Sequence, residues 1–121
     1  MKQYNNRIEI VLEVIGGKWK THILYYLTKG PIRTGELKRL VTGISQKMLT
    51  VQLKELERDG LITRKTYDQV PPKVEYALTE YGESLKEVLK VLCDWGGDYL
   101  RHRYPNGEVT VRNSDDEIGT Q

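Results

Sequence analysis

The feature that most constrains the fold is a turn at Thr42-Gly43, followed at once by a helix that starts after Ser45. A serine hydroxyl can accept a hydrogen bond from a free backbone N–H in the first turn, so Ser45 is a good helix N-cap. Leucines then recur at helical spacing, at Leu49, Leu53 and Leu56. A shorter helical pattern at residues 35–41 precedes the turn. This order predicts a helix-turn-helix unit.

The segments around this unit predict a complete small domain. Gly30-Pro31 ends an earlier helix, and a Pro-Pro pair stiffens the connection between two segments rich in β-forming residues. Ile32 and Arg33 are expected to be extended. The predicted helices lie at about residues 8–15, 18–28, 35–41, 46–58 and 80–103, the last capped by Thr79, and the strands at 61–67 and 73–79.

This element order predicts a fold class that is mainly α with a small β wing (α+β). The predicted fold is a winged helix-turn-helix with N- and C-terminal dimerisation helices. We expect the DNA-binding and dimerisation domain to span residues 1–104. Residues 105–121 lose periodicity and are polar and acidic, so we expect a flexible tail there.

The last helix carries an apolar seam whose steps alternate between four and three residues, which is typical of helices that pair. Its members are Tyr81, Leu85, Val88, Leu92, Trp95 and Tyr99. The first helix adds Ile8, Val11 and Leu12 at helical spacing. We therefore predict a homodimer through these two helices. The aromatic side chains of the seam could instead enclose an unknown aromatic small-molecule effector, but we favour a packed interface.

Charge is distributed unevenly along the chain, although the net charge is only +2. The stretch 18–75 holds twelve Lys or Arg and six Asp or Glu, a net of +6, while 108–121 holds four acids and one Arg, a net of −3. A basic middle suits a polyanionic partner such as double-stranded DNA. An ordinary solvated surface is the alternative explanation.

The outward face of the helix after Ser45 is the predicted reader of base edges. A turn of about 100° per residue places its polar side chains away from the three leucines. Glutamine suits an adenine edge, lysine a guanine edge or a phosphate, and apolar groups a thymine methyl. The predicted base-reading residues are Ser45, Gln46, Lys47, Thr50, Val51 and Lys54.

Basic residues on the wing and near the turn are predicted phosphate contacts, which position a protein on DNA without specifying sequence. They are Arg64, Lys65 and Lys73 on the wing, with Arg33, Lys38 and Arg39 as weaker candidates. Lysines on exposed strand edges also prevent aggregation, so each has a structural alternative.

No enzyme site is predicted, and we expect no cofactor and no metal. His22 and His102 are far apart in sequence, and neither belongs to a cluster with ligand spacing. The acids between Glu55 and Asp59 are expected to form a solvated helix face. No apolar run is long enough for a signal peptide or a membrane span, so we expect a cytoplasmic protein with no membrane partner.

Several segments together resemble the HxlR-type winged helix regulators over about residues 8–100. They are Ile15-Gly16-Gly17-Lys18-Trp19-Lys20, Gly35-Glu36-Leu37, residues 43–50, residues 53–61 and residues 70–79, the last beginning Val-Pro-Pro-Lys-Val-Glu-Tyr. The resemblance implies a bacterial or archaeal DNA-binding dimer whose first and last helices build the dimer interface. The heptad seam indicates the same interface independently.

The chain departs from that family pattern in its cysteines. Several members of the family carry a cysteine just before the first helix and respond to electrophiles or oxidants. Residues 1–7 contain none here, so we expect no thiol switch at that place. Cys93, the one cysteine of the chain, lies beside the seam, and we expect it to be a small packed hydrophobe.

The alternative to a DNA regulator is a winged helix that contacts only other proteins.

Overall fold

The computed structural model describes residues 1–112, in which five α-helices and a three-stranded sheet follow the predicted order. Residues 113–121 of the predicted acidic tail lie outside the described residues. The helices are α1 (Arg7–Ile15), α2 (Lys20–Leu27), α3 (Thr34–Leu40), α4 (Gln46–Arg58) and α5 (Leu85–Arg103), and the strands are β1 (Ile32–Arg33), β2 (Ile62–Tyr67) and β3 (Lys73–Leu78).

The core lies where α2, α3 and α4 meet the sheet. The three leucines predicted for the inner side of α4 are all buried there, each at most 2 % exposed. Leu37 of α3 and Leu24 of α2 are fully buried beside them. Burying a leucine side chain contributes about 1.5–3 kcal/mol, so these contacts fix α4 firmly against the domain. Its opposite side consequently faces solvent.

The sheet is antiparallel and has the order β1-β3-β2. Its third strand, β1, was predicted only as an extended segment. It pairs with β3 so that Ile32 lies opposite Tyr76 and Arg33 opposite Glu75. Two residues are too short to show a periodicity, so only the pairing partner reveals this strand.

The predicted start of the last helix at residue 80 is wrong. The Thr79 hydroxyl accepts a hydrogen bond from the Gly82 N–H at 2.9 Å and donates one to the Gly60 carbonyl at 2.7 Å. Thr79 therefore binds the first residue of a short 3-10 turn, Gly82–Ser84, and α5 begins only at Leu85. A Cβ atom on Gly82 would lie 2.1 Å from the Leu61 carbonyl oxygen, so this close approach requires glycine.

The acids between Glu55 and Asp59 are not simply a solvated face, as the sequence predicted. Glu55 accepts from Lys20, a lysine only 8 % exposed at the start of α2. Asp59 is half-buried and pairs with Arg58. Among residues 1–112, no helix is long and apolar enough to cross a membrane.

Candidate nucleic-acid interface

The N-terminus of α4 is built as the sequence predicted. Gly43 has φ +90°, a left-handed conformation that favours glycine in the turn. Ser45 is extended, and its hydroxyl accepts from the Met48 N–H at 3.0 Å. Ile44 is buried immediately before it and fixes where the helix enters the domain. The first residues of the helix, Gln46 and Lys47, are exposed, and the N–H groups of a first helical turn have no intrahelical acceptor, so they suit an anion.

All six predicted base-reading side chains lie exposed on one side of α4 or at its start: Ser45, Gln46, Lys47, Thr50, Val51 and Lys54. The structure adds Met48, which is 37 % exposed and was not among the predicted residues. Met48 also accepts a weak hydrogen bond from the Gln52 amide at 3.2 Å.

Gln46 and Thr50 interact one helical turn apart. The Thr50 hydroxyl donates to the Gln46 carbonyl oxygen at 3.0 Å and accepts from the Gln46 side-chain amide at 3.3 Å. The Thr50 hydroxyl is therefore engaged within the helix, although the residue is exposed. The amide oxygen of Gln46 stays available as an acceptor.

The six predicted phosphate contacts do not form one patch. Arg39 is paired with Glu36 by hydrogen bonds from two guanidinium nitrogens, Nε and Nη2, and this contact raises the pKa of Arg39 and lowers that of Glu36. Part of its charge is therefore already neutralised. Lys38 is half-buried, whereas Arg33 is exposed.

The wing cations lie on two different faces of the hairpin. Alternation along β2 puts Arg64 on the same face as the buried Ile62, and Lys65 on the opposite, outer face. Arg64 lines a cleft of about 470 Å³ between the sheet and α4, together with Lys54 and Thr50. Arg64 thus lies beside α4 rather than with Lys65 and Lys73. Sequence spacing alone could have shown this, because Arg64 is two residues from Ile62.

The outer face of the wing carries a cluster of charged and aromatic side chains. Register places Lys65 opposite Glu75 and Tyr67 opposite Lys73. Lys73 Nζ lies 3.2 Å from Glu75 Oε2, and the Tyr67 hydroxyl donates to Glu75 Oε1 at 3.0 Å. The Tyr67 hydrogen bond, followed by that of Lys73, holds the pKa of Glu75 below its usual range. Glu75 therefore stays charged beside the two lysines.

Apolar side chains are also exposed on α1 and on α5. We call this set of residues the helical apolar face, and it consists of Ile8, Val11, Leu12, Val88, Val91, Leu92, Trp95 and Tyr99, all 42–65 % exposed. Trp95 and Tyr99 stack with ring centres 5.4 Å apart. Such an extent of apolar surface is unusual for a monomer and typical of an interaction site.

Two members of the predicted seam, Leu85 and Tyr81, differ from the rest in where they lie. Leu85 is half-buried against the core, so the structure assigns it to the domain rather than to the exposed face. Leu89, which the seam omitted, is the buried anchor of α5 at 3 % exposure. Tyr81 precedes α5 and is 73 % exposed. Cys93 is half-buried and packs against the core, in agreement with the expectation for it.

These features define a winged helix-turn-helix protein, and comparison with known proteins identifies its family. The family model described as HxlR-like helix-turn-helix matches residues 14–104. The HTH-type transcriptional regulator YkvN of Bacillus subtilis is 55 % identical over 111 residues, covering 92 % of this chain and 94 % of that protein. The HTH-type transcriptional regulator YtcD of the same organism is 59 % identical over 103 residues, covering 85 % and 82 %.

Solved structures agree with this family assignment. A crystal structure of YtcD matches with a TM-score of 0.75 and 58 % identity, covering 79 % of this chain and 98 % of that one. The redox regulator HypR in its reduced form matches with a TM-score of 0.75 and 44 % identity, covering 83 % and 98 %.

The chain therefore belongs to the HxlR-like helix-turn-helix family, and it is a helix-turn-helix transcriptional regulator. The family and its members are regulators rather than enzymes, which confirms that part of the sequence analysis. Relatives occur in bacteria and in an archaeon, Methanothermobacter thermautotrophicus. Membership also implies DNA binding.

Proposed function

We propose that the protein is a homodimer that binds an inverted-repeat DNA operator in a sequence-specific manner and regulates transcription in the cytoplasm. The main evidence for DNA binding is the geometry of α4. Its three leucines are buried, its start is capped by Ser45, and the polar residues of its other side are exposed. A helix held in this way can enter the major groove with its N-terminal turn leading.

The base contacts follow from the groups that α4 presents. Gln46 would hydrogen-bond an adenine edge, and Lys47 a guanine edge or a phosphate. The Thr50 methyl group and Val51 would contact thymine methyls, since the Thr50 hydroxyl is engaged with Gln46. Lys54 lies one turn further along the same side and reaches the rim of the groove.

The phosphate contacts divide between two positions on the backbone. Arg64 and Lys54 line the cleft between α4 and the wing, so both would meet the DNA strand that borders the groove. Lys65 and Lys73 lie on the outer face of the wing, with Arg33 opposite Glu75 across the sheet, and would meet a more distant strand. We assign the smallest role to Arg39, because two of its guanidinium nitrogens already donate to Glu36, whereas Lys73 makes one contact with Glu75 and keeps further N–H donors.

The homodimer is proposed to form through the helical apolar face. Leu92 and Trp95 are 52 % and 65 % exposed in the single chain, a poor arrangement for large apolar groups in water. A second copy of the same face would cover them, and a two-fold axis would place two copies of α4 on related half-sites. The operator would then be an inverted repeat with half-sites about one helical turn, ~34 Å, or a multiple of it apart.

Selection of bound DNA from a random pool tests this proposal directly. An enriched inverted repeat is the expected result. A winged helix used only for protein–protein contact would enrich no sequence, and its DNA binding would be weak and equal for all sequences. That outcome would overturn the proposal and favour the protein-contact alternative.

A groove between α2 and α5 supports a second proposal, that of a small-molecule effector site. Its volume of about 390 Å³ lies within the range of ligand pockets, roughly 300–1,000 Å³. Aromatic and aliphatic side chains line it, among them His22, Tyr26 and Leu89. This position differs from the aromatic site considered from the sequence, since the Trp95–Tyr99 stack lies exposed on the helical apolar face. A thermal-shift screen of aromatic compounds tests it, with Tyr26→Ala expected to abolish any stabilisation found.

A further inference from the structure

Tyr67 lies at the centre of the outer face of the wing and contacts both wing lysines. The Nζ atom of Lys73 is 4.4 Å from the centre of the Tyr67 ring, and the Nζ atom of Lys65 is 4.8 Å from it. Both distances fall well inside the range of about 6 Å over which an ammonium is attracted to an aromatic face. One ring therefore holds two cations that would otherwise repel each other.

The hydroxyl of Tyr67 is fixed as well. It donates to Glu75 Oε1 at 3.0 Å, while Glu75 Oε2 lies 3.2 Å from Lys73. The Glu75 carboxylate therefore contacts both the Tyr67 hydroxyl and the Lys73 ammonium, and the Glu75 side chain is only 18 % exposed. The strand register supports this arrangement, because Tyr67 lies opposite Lys73 and Lys65 opposite Glu75. Tyr67 is half-buried, so its ring cannot swing freely away from the cluster.

We propose that Tyr67 is a positioning residue that holds Lys65 and Lys73 ready to contact DNA phosphates on the outer face of the wing. This inference rests on the DNA binding proposed above. A free lysine loses much side-chain entropy when it is fixed on a phosphate, and a lysine already held over a ring loses less. An ammonium has three N–H donors, so it can stay over the ring and still donate to a phosphate oxygen.

The geometry is tested first in the protein without DNA. In the full chain, the ε-methylene protons of Lys65 and Lys73 should show upfield ring-current shifts by NMR. Tyr67→Phe should keep these shifts because it keeps the ring, and Tyr67→Leu should abolish them. Unshifted lysine resonances in the wild type would overturn the proposal without bearing on DNA binding.

The consequence is tested on the selected operator and on a scrambled sequence. Tyr67→Leu should weaken binding to both DNAs alike by roughly three- to tenfold in total, because both lysines must then be ordered on the phosphates at the moment of binding. Tyr67→Phe should stay within about twofold of the wild type. Circular dichroism and thermal melting of each variant check that the wing remains folded.

A background without the lysines separates positioning from a general structural role. In a Lys65→Ala, Lys73→Ala variant, the further change Tyr67→Leu should have no effect on affinity. An equal loss in both backgrounds would show that Tyr67 only supports the fold of the wing and would overturn the proposal. If the wild type binds neither DNA, the proposed function fails, whereas wild-type binding unaffected by Tyr67→Leu removes this inference alone.

Discussion

The Nζ atom of Lys20 lies 2.6 Å from Glu55 Oε1 and joins the start of α2 to the middle of α4. The two side chains differ in their exposure, which is 10 % for Lys20 and 36 % for Glu55. The hydrogen bond from Lys20, together with its positive charge, lowers the pKa of Glu55. This pair therefore links α4 to α2 through a contact that is buried on the lysine side and open to water on the glutamate side.

The first prediction concerns the difference in burial between Lys20 and Glu55. Glu55→Ala should lower the melting temperature more than Lys20→Met does. Removing Glu55 leaves a buried ammonium without its carboxylate, whereas methionine fills the space of Lys20 with an apolar chain and leaves a carboxylate that reaches water. Thermal melting at neutral pH measures both variants. A larger drop in melting temperature for Lys20→Met than for Glu55→Ala would contradict this prediction.

The second prediction is a pH dependence of stability. Because the pKa of Glu55 is lower in the folded protein than in the unfolded chain, the pair contributes stability above the unfolded value of about 4.3. That contribution is lost as the pH falls through the lower, folded value. The stability difference between the wild type and Glu55→Gln should therefore shrink between about pH 5 and pH 3. Glu57→Gln, at an exposed position on the same helix, is the matched control.

The third prediction distinguishes the core side of α5 from its exposed side. Leu89→Ala should destabilise the domain by about 2–5 kcal/mol, because Leu89 is only 3 % exposed and its removal leaves a cavity. Leu92→Asp should instead give a folded monomer, since Leu92 is 52 % exposed in the single chain. Light scattering and circular dichroism separate the two effects. A wild-type protein that is monomeric at micromolar concentration would overturn the proposed dimer.

The fourth prediction separates base readout from phosphate contact. Gln46→Ala should cost roughly 1–3 kcal/mol on the operator and relax the preference at one position of the site. Lys73→Ala should weaken operator and scrambled DNA alike and reduce the salt slope by about one unit. Titrations across a salt series measure both. Equal losses on the two DNAs for Gln46→Ala would mean that α4 does not read bases.

The fifth prediction concerns Cys93, which packs half-buried against the core. Cys93→Ala should leave DNA affinity within about threefold, because the change mainly removes a small packing contact. The affinity of both proteins is measured before and after treatment with an oxidant. Oxidant-dependent release from DNA in the wild type that disappears in Cys93→Ala would identify the cysteine as a sensor instead.

Local patterns in the sequence determined the helix-turn-helix itself. The cap at Ser45, the buried leucines of α4 and the limits of β2 and β3 follow from hydrogen-bonding groups and periodicities within a few residues. These signals involve residues close together in sequence, so they can be recognised without knowledge of the rest of the chain. The exposed side of α4, and with it the candidate base-reading residues, followed from the same helical geometry.

Tertiary packing alone decided the features that depend on partners distant in sequence. The pairing of Ile32 with Tyr76, the contact of Lys20 with Glu55 and the hydrogen bond from Thr79 to the Gly60 carbonyl bring together groups that no local pattern connects. The side of α5 that faces the core was also decided in this way, because its apolar residues cover more than one face. Only the shape of the surface it packs on selects Leu89 for burial and leaves Leu92 exposed.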